Sequence, residues 1–214
     1  MIVIYCAKYN GLPSNARLYS DTTRIPESVY RKAASMRHVR DAYHHVMGRW
    51  LLSFALESSG LSPSLVHFVK VTDDGRPYLA SHKIDFNISH SGDMVVCAFS
   101  DECQLGIDVE EIIRVNFEDF GNQFSHHEWN EILHDSVPLT RFYMLWSRKE
   151  AVIKADGRGL QHDLATVDVL KNVTVLGEKK WFLLDVPIGD TYKMSLAAER
   201  PVASCDVKLE WIEL

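Results

Sequence analysis

LWSRKEAVIKADGRGL, Leu145 to Leu160, places a glutamate between a cationic run and a second lysine and then ends at a pair of glycines. Helical spacing sets Glu150 and Lys154 one turn apart, with Trp146 one turn below. On a solvated surface they would form an ion pair worth about 0.2–0.5 kcal/mol. Beside a ligand they would offer it a carboxylate and an ammonium together. The GRGL end reads as the stop of a helix that begins near Leu139, and a shorter helical pattern runs from Ser125 to Leu133.

Working outward, the tail from Thr166 to Leu214 reads as strands separated by turns at GEKK and PIGDT. Ahead of the helices, QLGIDVEEI is a strand entered at a glycine. Short strands are expected at Asp85–Ile88 and Met94–Ser100, and another at Val66–Val71 before the DDGRP turn. From Pro26 to Glu57 the pattern is helical: Val39, Tyr43, Val46, Trp50 and Phe54 form an apolar stripe, and Lys32, Arg37, Arg40, His44 and Arg49 occupy the other faces. That basic face is either a solvated surface or an anion-binding one. Ile2–Ala7 reads as a strand bounded by Asn10, Gly11 and Pro13. Each half therefore runs helix first and strands second, and GDMVVCAFSDE and TYKMSLAAERP carry a faint internal echo.

With 214 residues and 46% hydrophobic content the chain can bury a real core. Its 23 basic and 29 acidic residues give a net charge of −6, which argues against bulk electrostatic binding of nucleic acid. Cys6, Cys97, Cys103 and Cys205 are scattered without a CxxC pair, as expected of reduced thiols rather than a disulfide framework or zinc site. The apolar run at the N-terminus is too short for a signal peptide or membrane span, so a soluble cytoplasmic protein is expected.

Three short segments carry candidate chemistry. In GIDVE, Asp108 and Glu110 share one face of a strand while Ile107 and Val109 enter the core. Two carboxylates so placed need a cation or water, and a hard divalent ion fits such an oxygen site and completes its shell with water and phosphate. The alternative is an exposed edge strand. In FNISHSG, Asn87, Ser89, His90 and Ser91 precede Gly92 where the strand should turn; they could hold an anion, or form a ligand-free polar turn. A nucleophilic Ser–His pair is disfavoured, because adjacent residues rarely present a hydroxyl to the neighbouring imidazole. In DDGRPYL, the turn fixes the backbone and leaves the Arg76 guanidinium free for a phosphate or a ring. Together these segments suit a magnesium-bound polyphosphate.

The segments GRPYL, FNISHSG, GIDVE, FSHHEW and LWSRKEAVIKADGRGL, from Gly75 to Leu160, resemble in order and wording the 4′-phosphopantetheinyl transferases of the longer, surfactin-synthetase-activating (Sfp-like) type. MRHVRDAYHHVMGRWLL is similar, less strongly, to the family's nucleotide-contacting helix. The resemblance implies an α+β fold of two pseudo-duplicated halves, residues 1–105 and 106–214. Each half would pack a long helix on a small, mainly antiparallel sheet, with the active site in the cleft between them and the chain a monomer.

It also implies transfer of the phosphopantetheine arm of coenzyme A to a serine of an acyl or peptidyl carrier protein, with release of adenosine 3′,5′-bisphosphate. Asp108, Glu110 and Glu150 match the carboxylates that bind Mg²⁺, with Mn²⁺ as a possible substitute. Lys154 matches a phosphate-contacting lysine, Ser89 and His90 match further phosphate contacts, and Arg76 matches a basic position near the adenine. Lys32, His44 and His45 fall where the 3′-phosphate is read, and Glu128 matches a glutamate near the metal and its water. Glu150 is the first candidate for general base and Glu128 the second. Two other readings use the same residues: a coenzyme A-binding module without transfer activity, and a magnesium-dependent phosphohydrolase.

Overall fold

The apolar N-terminal run forms strand β1, Ile2–Lys8, and the computed structural model describes residues 1–9, 11, 24–80, 82–159 and 163–213. Asn10, Pro13 and Leu160, named above as turn and stop residues, lie outside these.

The helix expected from Pro26 to Glu57 forms as two, α1 (Glu27–Ala34) and α2 (Val39–Ser58). The break falls at Ser35, whose hydroxyl bonds back to the Lys32 carbonyl and offers the backbone an alternative to continued helix. Of the apolar stripe, Tyr43 and Val46 are buried and Trp50 and Phe54 pack against the same core, whereas Val39, the first residue of α2, stands exposed.

The strand expected at Val66–Val71 is a second correction. Ser62 caps and Pro63 opens a 3₁₀ turn through Phe68, because proline's fixed φ and the serine cap favour a helical start. Only β2 (Lys70–Val71) remains extended, paired with β3 (Pro77–Tyr78).

The hairpin β4 (Asp85–Ser91) and β5 (Met94–Ser100) follows, and then β6 (Leu105–Glu111). In the second half, α3 (His126–Leu133) starts at a Ser125 capping box, and α4 (Pro138–Asp156) ends at Gly157 with φ 84°. Strands β7 (Val173–Leu176), β8 (Lys179–Asp185), β9 (Tyr192–Ala198) and β10 (Val207–Trp211) complete the chain.

Among the described residues two four-stranded sheets result, ordered β10-β1-β5-β4 and β6-β9-β8-β7. The second is antiparallel throughout, while the first gains a parallel pair where β10 lies along β1. The last strand thus departs from a division at residue 105, joining the sheet of the first half. The echoing segments at Met94 and Met194 become β5 and β9, each antiparallel to the first strand of its sheet.

The inner faces of the sheets meet in one core that includes Ile2, Ile4, Met94, Ile107, Val109 and Leu196. Helix α2 covers the outer face of one sheet and α4 that of the other, giving an α+β arrangement of four layers. All four cysteines are free, Cys205 being the exposed one.

Glycines set the approach of each long helix to its sheet. On α2, a Cβ at Gly48 would lie 2.7 Å from the Ile88 side chain on β4. On β6, a Cβ at Gly106 would lie 2.2 Å from the Ala151 carbonyl oxygen and 2.3 Å from the Ala155 nitrogen. Gly106 therefore lets α4 lie directly on the strand that carries Asp108 and Glu110.

Candidate active site at the seam between the sheets

Strand β4 is an edge of its sheet, and β6 is an edge of the other. They are joined by a ladder in which side-chain oxygens of β4 accept backbone amides of β6. Asp85 Oδ2 takes Leu105 N at 2.8 Å, Asn87 Oδ1 takes Ile107 N at 3.1 Å, Ser89 Oγ takes Val109 N at 3.3 Å and Ser91 Oγ takes Glu111 N at 3.0 Å. Period-two alternation points these four side chains one way, and they occupy an edge that would otherwise be left open. Ser89, His90 and Ser91, expected in a turn, therefore lie in a strand, and the turn comes at Gly92.

Two of the candidate carboxylates, Asp108 and Glu110, accept hydrogen bonds from rungs of this ladder. Lys154 Nζ donates to Asp108 Oδ1 at 2.6 Å and to Ser89 Oγ at 2.8 Å, while Ser89 donates to the same Oδ1 at 2.9 Å. Ser89's hydroxyl thus makes its one donation and fills both acceptor positions, so it organises Asp108 and Lys154 rather than standing free for a phosphate. Burial pushes the Asp108 carboxyl above the usual carboxylate range, against the opposing pull of Lys154 and Ser89. Glu110 is pushed up to about 7, first by burial and then by Asp108. Glu150 is raised for the same reasons in the same order.

Among the described residues, no three His, Cys, Asp or Glu side chains are grouped so as to hold a metal ion. One observation nevertheless fits a cation: Asp108 Oδ2 is buried with no hydrogen-bond partner, and the Asp108 carboxylate raises the proton affinity of both Glu110 and Glu150. A divalent ion held by Asp108, Glu110 and Glu150, its shell completed by water and phosphate, would satisfy that oxygen and relieve the crowding of like charge.

Two expected site residues are used elsewhere. Glu128 is fully buried and saturated: Oε2 accepts Ser125 N and pairs with Lys149 Nζ, each at 2.8 Å, and Oε1 accepts Val169 N at 3.0 Å. It caps α3 and ties it to α4, and it cannot serve as a base at the seam. The Arg76 guanidinium is not free either: it binds Asp85 through two nitrogens and donates to the carbonyls of Leu105 and Lys154. Asp85 is nine residues away, a pairing that no local turn pattern announces.

On α2, His44 is buried; its Nε2 lies 2.8 Å from the Tyr9 hydroxyl and 3.1 Å from the Gly92 carbonyl, and its ring stacks on His90 with centroids 4.3 Å apart. Burial and then His90 lower its pKa to about 4, so it is held neutral. His45 is also lowered to about 4, by burial, Lys32, Arg49 and His90 in that order. His90 is lowered by the protein packed around it and then by Lys154. Lys32 stands exposed at the end of α1.

Arg49 was seen in the sequence only as part of a basic face. Its Nη1 is buried without a partner, one turn beyond His45, so Lys32, His45 and Arg49 present a cluster of cations and potential cations to one another. Its i,i+4 relation to His45 was the available signal.

The description "4′-phosphopantetheinyl transferase superfamily" matches residues 104–203, and "4′-phosphopantetheinyl transferase, N-terminal" matches residues 12–102. A 4′-phosphopantetheinyl transferase of Bacillus subtilis is 32% identical over 181 residues, 79% of this chain and 80% of that protein. This chain belongs to the 4′-phosphopantetheinyl transferase superfamily. The transferase is of the Sfp-like type: 4′-phosphopantetheinyl transferase Sfp of Bacillus subtilis strain 168 is 34% identical over 142 residues, 64% of this chain and 62% of that one. Among solved structures, the holo-[acyl-carrier-protein] synthase of Thermotoga maritima matches 44% of this transferase and 61% of its own chain, at 20% identity and a TM-score of 0.36. No helix among the described residues is long and apolar enough to cross a membrane.

Proposed function

We propose that this phosphopantetheinyl transferase uses coenzyme A as donor and a serine of an acyl or peptidyl carrier protein as acceptor. The serine Oγ–phosphorus bond forms as the pyrophosphate P–O bond breaks, and adenosine 3′,5′-bisphosphate leaves. The observation that carries this reading is the orphaned Asp108 Oδ2 beside a lysine already placed by Asp108 and Ser89.

Asp108, Glu110 and Glu150 would hold Mg²⁺, with Mn²⁺ a substitute; when bound, such an ion neutralises and orients the two phosphates. Lys154, held by Ser89 and Asp108, would meet the charge that develops on the leaving phosphate. Glu150 takes the serine proton, directly or through a water. Burial and Asp108 raise its proton affinity in the metal-free protein, whereas a bound cation would lower it, which favours the route through a water. His90, stacked on His44 with an edge open to solvent, is the further phosphate contact. Lys32, His45 and Arg49 are the groups on α1 and α2 left to meet a second anionic group, since His44 is committed to Tyr9 and Gly92. Both sides of the seam come from one chain, which supports a monomer.

The test is intact-mass spectrometry of several apo carrier proteins incubated with the transferase, coenzyme A and Mg²⁺, with and without EDTA. A gain of one phosphopantetheine that EDTA removes is expected. Coenzyme binding with no gain on any carrier would favour a binding module, and inorganic phosphate released without a carrier would favour a phosphohydrolase.

A further inference from the structure

The four rungs of the β4–β6 ladder are not equivalent. Each accepts an amide of β6, but the two serines, unlike Asp85 and Asn87, also donate to a carboxylate. Ser89 donates to Asp108, where Lys154 also acts. Ser91 donates to Glu110 Oε2 at 2.8 Å while accepting Glu111 N at 3.0 Å. Because its acceptor bond fixes the serine to the backbone of β6, its donated bond fixes the Glu110 carboxylate relative to that same strand. Among the described residues this is the side-chain hydrogen bond that Glu110 makes. The Asp108 carboxylate is thus held by Ser89 and Lys154, and the Glu110 carboxylate by Ser91.

We propose that Ser91 is a positioning residue for the cation site: a side chain of the first sheet that sets the Glu110 carboxylate carried by the second. The inference rests on the reading of Asp108, Glu110 and Glu150 as metal ligands. It assigns a role to a residue that touches neither the phosphates nor the reacting atoms. Groups that orient metal ligands typically change affinity by about 10- to 100-fold when removed. A serine on an edge strand can act this way because its rotamer is locked by the amide it accepts.

The test measures Mn²⁺ binding by the electron paramagnetic resonance of the free ion, with and without coenzyme A, alongside thermal unfolding. Ser91→Ala should weaken Mn²⁺ binding by about tenfold, and Ser91→Thr, which keeps the hydroxyl, should restore it. Asn87→Ala is the control for a merely structural rung. It orphans the Ile107 amide and should lower the unfolding temperature about as much as Ser91→Ala does, while Mn²⁺ binding stays at the wild-type level. Wild-type Mn²⁺ affinity in Ser91→Ala, or an equal loss in Asn87→Ala, overturns the proposal. Asp108→Ala separates the two levels of the argument: if wild type and Asp108→Ala bind Mn²⁺ alike, the metal reading itself fails and Ser91's role falls with it. If only Asp108→Ala loses the ion, the metal reading stands and Ser91 is refuted alone.

Discussion

Helix α4 carries two lysine–carboxylate pairs on different faces, and they differ in how completely they are satisfied. Lys149 is fully buried, bonds to the carbonyls of Leu164 and Val167 and pairs with Glu128, whose other contacts are two backbone amides. Lys154, one and a half turns on, is 30% exposed, and its partner Asp108 keeps a buried oxygen with no partner. The first pair has nothing left to offer a ligand. The second leaves one buried carboxylate oxygen unsatisfied, the atom that the proposed cation would engage. Burial and charge are common to both, so it is the unsatisfied atom that separates a structural pair from a chemical one.

The contrast predicts opposite phenotypes. Asp108→Ala should abolish phosphopantetheine transfer, a loss of about a thousandfold or more if a main charge-stabilising group is removed. Lys154 is near enough to solvent to swing out, so circular dichroism and the unfolding temperature should stay near wild type. Transfer at wild-type rate in Asp108→Ala would end the metal assignment.

Glu128→Ala should do the reverse. Removing one partner of a fully buried pair leaves Lys149 uncompensated and two amides orphaned, at a cost of about 3–5 kcal/mol. Urea denaturation should show that loss, while the rate per folded molecule, measured well below the unfolding midpoint, stays unchanged. A folded Glu128→Ala protein with little transfer would return Glu128 to the reaction.

What the sequence revealed and concealed follows the same division. Helix α4 was legible because its periodicity is local, and GIDVE was legible because alternation alone sends Ile107 and Val109 inward and Asp108 to the other face. Ser125 three residues before Glu128 was a capping box in plain sight, yet Glu128 was assigned to chemistry. Its commitment depends on Lys149 and Val169, which only the fold brings near. Arg76 follows the same rule, its guanidinium being engaged by Asp85 and by carbonyls of β6 and α4. The break between α1 and α2 and the 3₁₀ turn at Pro63 were decided by single serine hydroxyls and a proline, against an otherwise continuous apolar pattern. The ladder itself was invisible, since side-chain oxygens facing amides 20 residues away leave no periodic trace beyond alternation.

The unsatisfied pair also depends on how closely α4 lies on β6, and Gly106→Ala tests that dependence. The added methyl would meet backbone atoms of Ala151 and Ala155, which cannot rotate away, so helix and strand must separate. Overpacking of this kind costs about 3 kcal/mol or somewhat more. Because Glu150 and Lys154 ride on the displaced helix, transfer should fall along with stability. In the matching variant of the other half, Gly48→Ala, the clash is with a flexible Ile88 side chain, and the loss should be smaller on both counts. Equal losses would mean that the approach of α4 has no special bearing on the site.

The smallest predicted effect concerns His44, a buried group that is satisfied only while neutral. Its pKa of about 4 in the fold lies below the ordinary 6.5, so between those values the unfolded chain binds a proton that the folded chain refuses. Stability from this group is therefore complete above pH 6.5 and drains away as pH falls toward 4, amounting to about 2 kcal/mol by pH 5. Glu110, raised to about 7, acts with the opposite sign across the same range, so the raw pH profile mixes the two. The difference between wild type and His44→Gln removes Glu110 from the comparison. Glutamine keeps polar contact with Tyr9 and Gly92 but cannot take up a proton. The unfolding temperature of His44→Gln should then fall less steeply from pH 6.5 to 4 than that of wild type, with the two closest in acid. Parallel profiles would show that His44 is free to charge in the folded state. It would then join Lys32, His45 and Arg49 as a cation available to a phosphate, and the committed side of the comparison would lose a member.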